Sequence, residues 1–342
     1  MNKKVVSQIA AIALACLMIV ILLGAKVENT VSAAYGQLVV YFIDVGQGDA
    51  ILIDYGAYEL LIDGGTGNDC ANYIPDYVDG ALEVMVATHP HADHIGGLRN
   101  VLDTFVVEHI WLNGDTATTQ TYADFMDKVN AEGAQLHQAQ RGEQISLDTL
   151  TFDVLHPVLP LGSDMNENSI VLKLSFGQVD FLFTGDAEAG AEANMMSASL
   201  IDDIDILKVG HHGSKYASTA SFLAAAHPEI AIYSAGVGNP YGHPAPETIA
   251  RLQDIGAALY GTDVYGTIIV TSNGTTYNVY PTKSVILGDA NGDSVVNILD
   301  LTRVVRIILL LDNETPGADA NQDGIVNVLD LTKIVRKILM HD

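Results

Sequence analysis

From residue 37 onward, short apolar runs alternate with clusters of Gly, Asp and Asn, a spacing that predicts strands more often than helices. Gln37 to Ile43 predicts a first strand, stopped by Asp44-Val-Gly-Gln-Gly-Asp49, and Ala50 to Asp54 predicts its hairpin partner. Glu59 to Asp63 predicts a third strand, ended by Gly64-Gly65. Further runs lie at Leu82 to Ala87, Leu150 to Leu155, Ser169 to Phe176, Val179 to Phe183, Asp202 to Val209, Ile230 to Tyr233, Gly266 to Thr271 and Tyr277 to Tyr280. Gly177-Gln178 is a two-residue hairpin turn between two of them. Helical spacing predicts helices from Ile95 through Leu102, Tyr122 to Val129, Pro246 to Ile255, Leu301 to Leu311 and Leu331 to Met340.

Polar residues capable of chemistry stand where these strands end. Leu82 to Ala87 runs into Thr88-His89-Pro90-His91-Ala92-Asp93-His94, Val179 to Phe183 into Thr184-Gly185-Asp186, and Asp202 to Val209 into Gly210-His211-His212-Gly213-Ser214. Nitrogen and oxygen donors converging on one point are what Zn²⁺ or a similar divalent ion requires. Ligand-type residues at several strand ends imply stacked sheets whose loops gather on one edge, with helices outside: an αββα sandwich of the α/β class. Asp63, also at a strand end, serves either to orient a metal-bound histidine or to cap the strand. Gly46-Gln-Gly-Asp49 has the wrong spacing for a dinucleotide loop and no long helix after it.

The chain has 342 residues, 49% of them hydrophobic, enough for one large domain and a small one. Lys3 and Lys4 precede an apolar run from Val5 to Gly24, and Val31-Ser32-Ala33 offers small residues to a signal peptidase. Residues 1–33 therefore read as a secretory signal, with an uncleaved membrane anchor as the alternative. Cys70 is then the one cysteine of the mature chain, which excludes an internal disulfide. Net charge is −26, and residues 34–283 carry 8 Lys and Arg against 32 Asp and Glu, a balance opposed to strong nonspecific nucleic-acid binding.

The last segment, residues 284–342, contains a direct repeat. Asp289, Asn291, Asp293, Asn297 and Asp300 recur as Asp319, Asn321, Asp323, Asn327 and Asp330. With the main-chain carbonyls of Val295 and Ile325 at the seventh position, each set has the spacing that wraps a Ca²⁺ ion, and each leads into a helix.

Through Phe42-Ile-Asp-Val-Gly-Gln-Gly-Asp-Ala-Ile-Leu-Ile53, Leu60-Leu-Ile-Asp-Gly-Gly65, the His89–His94 cluster, Phe183-Thr-Gly-Asp186 and Gly210-His-His-Gly-Ser214, residues 34–283 resemble the metallo-β-lactamase superfamily, above all the extracellular domain of ComEC-type DNA-uptake proteins. Residues 288 to 342 resemble a dockerin, the duplicated Ca²⁺ module that binds a cohesin on a cellulosome-type scaffoldin.

The resemblance implies a binuclear hydrolase with His89 and His91 on a first metal, Asp93, His94 and His211 on a second, and Asp186 between them. It leaves the third ligand of the first metal open among His156, Asn166 and Asn168. Zn is the expected metal, with Mn the alternative. Asp93 would orient the attacking hydroxide, His212 and His243 would donate a proton or hydrogen-bond a phosphoryl oxygen, and Ser214 and Lys215 would touch an anionic substrate. A secreted, scaffold-attached phosphoesterase acting on a small or polymeric phosphoester follows. A lactone or amide hydrolase and a noncatalytic binding module remain as alternatives. Ile298-Leu299 and Val328-Leu329 are either cohesin-selecting pairs or core positions.

Overall fold

The central strands are buried along both faces: one face of each sheet meets the other sheet, and on the second sheet the opposite face lies under helices. The computed structural model describes residues 36–292, 295–312, 315, 317–321 and 325–340. The expected signal segment and the expected calcium ligands Asp293 and Asp323 lie outside the described residues.

Among the described residues, fifteen strands form two mixed sheets. The first contains β1 (Leu38–Phe42), β2 (Ile51–Asp54), β3 (Glu59–Ile62), β4 (Leu82–Ala87), β5 (Val107–Leu112), β6 (Gln135–Gln138), β14 (Ile268–Ser272) and β15 (Tyr277–Pro281). Their order is β15-β14-β1-β2-β3-β4-β5-β6. The second, ordered β13-β12-β11-β10-β9-β8-β7, contains β7 (Gln144–Leu147), β8 (Leu150–His156), β9 (Val171–Phe176), β10 (Val179–Phe183), β11 (Ile206–Lys208), β12 (Ile230–Tyr233) and β13 (Ala258–Gly261). Each sheet is antiparallel in one half and parallel in the other: β3, β4, β5 and β6 pair in parallel, as do β10, β11, β12 and β13.

Leu38, Val40, Phe42, Ile51 and Ile53 of the first sheet face Phe152, Leu174, Phe181 and Phe183 of the second in one buried cluster. Residues of opposite parity on the second sheet, Leu182, Leu207 and Ala231, pack under helical Met195, Phe222 and Leu252. The αββα expectation is met. Among the described residues no helix is long and apolar enough to cross a membrane.

Several elements differ from the sequence expectation. The helix expected from Ile95 through Leu102 is two short helices, Ala92–Ile95 and Leu98–Leu102, because Gly96 and Gly97 pack against the Thr66 and Gly64 carbonyls. The last two helices begin earlier than expected, at Ile298 and Val328. Asn297 accepts from Leu299 N–H at 2.8 Å and pairs with Asp300 in a capping box, which starts the first of them. Strands β5, β6, β7 and β13 were not anticipated. β6 is almost wholly exposed, so it carries no buried alternation to read.

The helices Ile298–Ile308 and Val328–Met340 share their own small core of Ala290, Val304, Ile307, Ala318, Ala320 and Ile334. Asp300 and Asp330 are buried there, and each accepts two backbone N–H bonds from its own loop, from Asn291 and Asn297 and from Asn321 and Asn327.

At the end of β3 remote from Asp63, the register sets Asp54 directly opposite Glu59, and Glu83 on β4 accepts the Glu59 N–H at 2.8 Å. Glu59 is buried, and neither carboxylate oxygen has a hydrogen-bond partner among the described residues. Burial, then the Glu83 charge, pushes its carboxyl up to about 8 from 4.5. The folded chain therefore holds a proton that the unfolded chain releases above pH 4.5, so this group's favourable contribution falls as pH climbs from there to about 8. Glu59→Gln is expected to melt at a higher temperature than the wild type near pH ~9, with the gap closing toward pH ~4. A pH-independent difference in calorimetric melting would refute this account.

Candidate metal centre

Parallel strands point their C-terminal ends the same way, and in both sheets those ends carry the polar clusters. Asp63 follows β3 in the left-handed region (φ 58°). Its Oδ1 accepts from Thr88 N–H at 2.8 Å, and its Oδ2 accepts from Thr88 Oγ1 at 2.7 Å. The same Oδ2 lies 2.7 Å from His94 Nδ1. A proton held on Nδ1 by this carboxylate leaves the Nε2 lone pair free, and Nε2 stands 3.2 Å from Asp186 Oδ2. Asp63 thus orients His94, one of the two roles open for it in the sequence.

Asp186, delivered by β10, is the meeting point. His89 Nε2 lies 3.6 Å from its Oδ2 and 2.9 Å from His91 Nδ1. His212 Nε2 lies 3.5 Å from its Oδ1 and 3.3 Å from Asp93 Oδ2. Two sets of donors result, His89 with His91 and Asp186, and Asp49 with His94, Asp186 and His212, each with its atoms within 4.8 Å of one another. Burial opposes ionisation of Asp186, yet the charges of His94 and His212 hold its carboxyl well below the ordinary value. Burial, then the His94 charge, keeps His89 well below its own.

These groups fit a cation on independent grounds. His94 Nε2, His212 Nε2 and Asp186 Oδ1 are all buried without a hydrogen-bond partner among the described residues. Convergent lone pairs left unsatisfied in a protein interior are costly unless something positive binds them.

The structure departs from the sequence expectation at several points. His212, not His211, joins His94 and Asp186 in the second set: the backbone at both residues is left-handed (φ 46° and 54°), and the two rings, in edge contact at 5.8 Å, reach different oxygens of Asp186. His211 Nε2 lies 3.7 Å from Asp186 Oδ2, and its Nδ1 is 2.7 Å from Glu188. His156 is turned away, its Nδ1 3.2 Å from the Ser169 carbonyl. The Asn168 amide donates to Asp115 and the Gly162 carbonyl, so it is occupied in its own loop.

Between 153 and 169, the residues near the centre are Asn166, whose Nδ2 is 3.4 Å from His211 Nδ1, and Ser169, whose Oγ is 3.4 Å from His89 Nδ1 and accepts from Asp186 N–H. Ser214 is buried with its Oγ accepting from Tyr216 N–H, and the Lys215 ammonium sits over the Tyr216 ring at 5.1 Å, so neither lines the cleft. The chain turns away at Gly213 (φ +82°), pressed against Pro244.

The cleft above Asp186 has a volume of about 320 Å³ and includes His91, Asp93, Asn166, His211, Tyr241 and His243 in its wall. Burial, then the His211 and His212 charges, lowers His243 to about 4, so its ring is neutral at neutral pH.

Sequence reasoning missed Asp49 and Lys208. Lys208 is fully buried, and its ammonium meets Asp49 Oδ2 at 2.6 Å. Asp49 Oδ1 stands 3.2 Å from His212 Nδ1, which also faces the Ser234 carbonyl at 3.0 Å. The available signal was a lysine inside the otherwise apolar stretch Ile206 to Val209. Lys208→Met leaves a buried carboxylate facing His212 alone and is expected to cost about 3–5 kcal/mol in urea denaturation. A loss below ~1 kcal/mol would mean that the pair contributes little.

Comparison with known proteins agrees with this geometry. Residues 43–237, more than half of the chain, match the Metallo-beta-lactamase superfamily, and residues 287–339 match the Dockerin type I domain. ComE operon protein 3 of Bacillus subtilis is 31% identical over 58% of this chain and 26% of its own length. Recombination protein 2 of Haemophilus influenzae is 30% identical over 67% and 28%, and Competence protein ComA of Neisseria gonorrhoeae is 30% identical over 66% and 31%. The chain spans less than a third of the length of these relatives. With the two-sheet architecture and the donors gathered at its edge, the chain belongs to the metallo-β-lactamase superfamily and carries a dockerin domain at its C-terminal end.

Proposed function

We propose that the chain is a secreted, binuclear metal-dependent phosphoesterase, with phosphodiesters as the favoured substrates, tethered through its dockerin to a cohesin-bearing scaffold. The observation that carries the reading is Asp186, a buried carboxylate common to two sets of histidine and aspartate donors. His89, His91 and Asp186 would hold one divalent ion, Zn or Mn, with His211 in reach of Asp186. Asp93, His94, Asp186 and His212 would hold the other. Two such ions supply an acidified water and positive charge against phosphoryl oxygens.

The protein's own groups do the rest. Asp63, Glu188 and Asp49 each face a ring nitrogen of His94, His211 and His212, fixing which nitrogen turns toward Asp186. Asp93, in the cleft wall, is placed to orient the attacking water. The neutral His243 ring, with Nδ1 buried and unpartnered among the described residues, has one N–H to offer a phosphoryl oxygen as a hydrogen-bond donor.

Two of the relatives are named for recombination and for competence, which favours phosphodiester chemistry. The acidic surface of residues 34–283 favours a small or neutral-flanked ester over a long nucleic acid.

Two Ca²⁺ ions would bind the repeated loops, through Asp289, Asn291, Asp293, Val295, Asn297 and Asp300 and their counterparts Asp319 to Asp330. The Asn297 and Asn327 oxygens also cap the helices that follow. Ile298, Leu299, Val328 and Leu329 are 70%, 59%, 63% and 58% exposed, which supports a partner contact over a core role.

Metal analysis of the purified chain is expected to find two transition-metal ions besides calcium, and bis(p-nitrophenyl) phosphate to be hydrolysed. Asp186→Ala should lose both the metal and the turnover, and Asp63→Asn should lower metal affinity or activity by about 10–100-fold. Turnover of a lactone or of nitrocefin by a metal-loaded chain that leaves every phosphoester intact would sink the reading. Separately, cohesin binding by calorimetry should vanish in EDTA and weaken with Ile298→Asp. Failure to bind any cohesin of the same organism in Ca²⁺ would remove the scaffold role.

A further inference from the structure

The loop joining β1 to β2 lies between two other loops of the site. On one side Gly48 (φ +134°) passes so close to the Asp93 carbonyl that a Cβ would stand 2.2 Å from it, and Asp49 N–H donates to that carbonyl at 3.2 Å. On the other, a Cβ at Gly236 would lie 2.8 Å from Gln47 N, so the loop after β12 packs directly on the Gln47 backbone. Gln47 is thereby wedged between the loop that carries Asp93, from the first sheet, and a loop of the second.

One hydrogen bond settles which way its carboxamide faces. Gly236 N–H can only donate, so Oε1 turns toward it, at 3.1 Å. Nε2 must then face the other way. It is buried without a hydrogen-bond partner among the described residues, although the Asp93 and Asp186 carboxylates line the same cleft. Two N–H donors are held on this loop beside the proposed metal centre, and among the described residues no acceptor takes them.

We propose that the Gln47 carboxamide binds a non-bridging oxygen of the substrate's phosphoryl group, a role that rests on the phosphoesterase reading above. Among the described residues no Lys or Arg lines the cleft, so beyond its imidazoles the protein's own donors to an oxyanion there are neutral. An amide supplies direction without adding a charge that would pair with Asp93. A donor fixed before the substrate arrives needs no reorganisation as charge builds on the phosphoryl oxygens.

The test compares full-length wild type, Gln47→Ala and Gln47→Glu, each loaded with metal. It measures inorganic phosphate binding by calorimetry, kcat/KM on bis(p-nitrophenyl) phosphate, and metal per chain. Gln47→Glu keeps an acceptor for Gly236 N–H, and so the loop, while replacing the free donor by a carboxylate oxygen. Both variants are expected to retain the wild-type metal content. Phosphate binding should weaken about 10-fold in Gln47→Ala and further in Gln47→Glu, and kcat/KM should fall about 10²-fold or more in both.

Phosphate affinity and kcat/KM within about twofold of wild type in Gln47→Ala, or losses that track released metal, would overturn the proposal. If the wild type neither binds phosphate nor cleaves the diester, the phosphoesterase reading fails first and takes this role with it. If the wild type does both and the variants match it, only the role of Gln47 falls.

Discussion

A single carboxylate that stays ionised inside the protein organises the centre. Burial raises the free energy of charged Asp186, and four imidazoles within 3.7 Å of its two oxygens answer that charge. None of these histidines is near it in sequence. They arrive on the loops after β4 and β11, and Asp186 on the loop after β10. The fold's work is to bring parallel strand ends from two sheets to one edge, where chain segments about a hundred residues apart meet.

Around this carboxylate stands a ring of groups that hold the imidazoles in one orientation. Asp63 faces His94, Glu188 faces His211, and Asp49 with the Ser234 carbonyl faces His212. Asp49 is itself fixed by the buried ammonium of Lys208, so the support reaches into the strand interior. A histidine whose outer nitrogen is tied down presents a defined lone pair on the other. The close glycines serve the same end: Gly48 lets the β1–β2 loop rest on Asp93, and Gly236 lets the opposite loop rest on Gln47.

The C-terminal repeat solves a different problem with similar materials. Asp300 and Asp330 are buried, but each is satisfied by backbone N–H groups of its own loop, and apolar side chains just beyond the capping residues remain on the surface. Local sequence carries this arrangement, since each loop closes on itself within a dozen residues. The metal centre of the larger domain has no such local closure.

That contrast separates what was legible from what was not. The strand periods, the glycine stops and the donors placed after β4, β10 and β11 are local features, and they sufficed for the two-sheet architecture, the shared edge and the prominence of His89, His91, His94 and Asp186. The repeat was legible for the same reason. Tertiary structure alone decided that His212, rather than its neighbour His211, groups with His94, because left-handed backbone at both residues brings the two rings to different oxygens of Asp186. It alone paired Lys208 with Asp49 and turned His156 and Asn168 away. Sequence specifies which residues can ligate and roughly where strands end. Which nitrogen faces which oxygen depends on backbone dihedrals and on contacts between distant loops, and no local pattern encodes those.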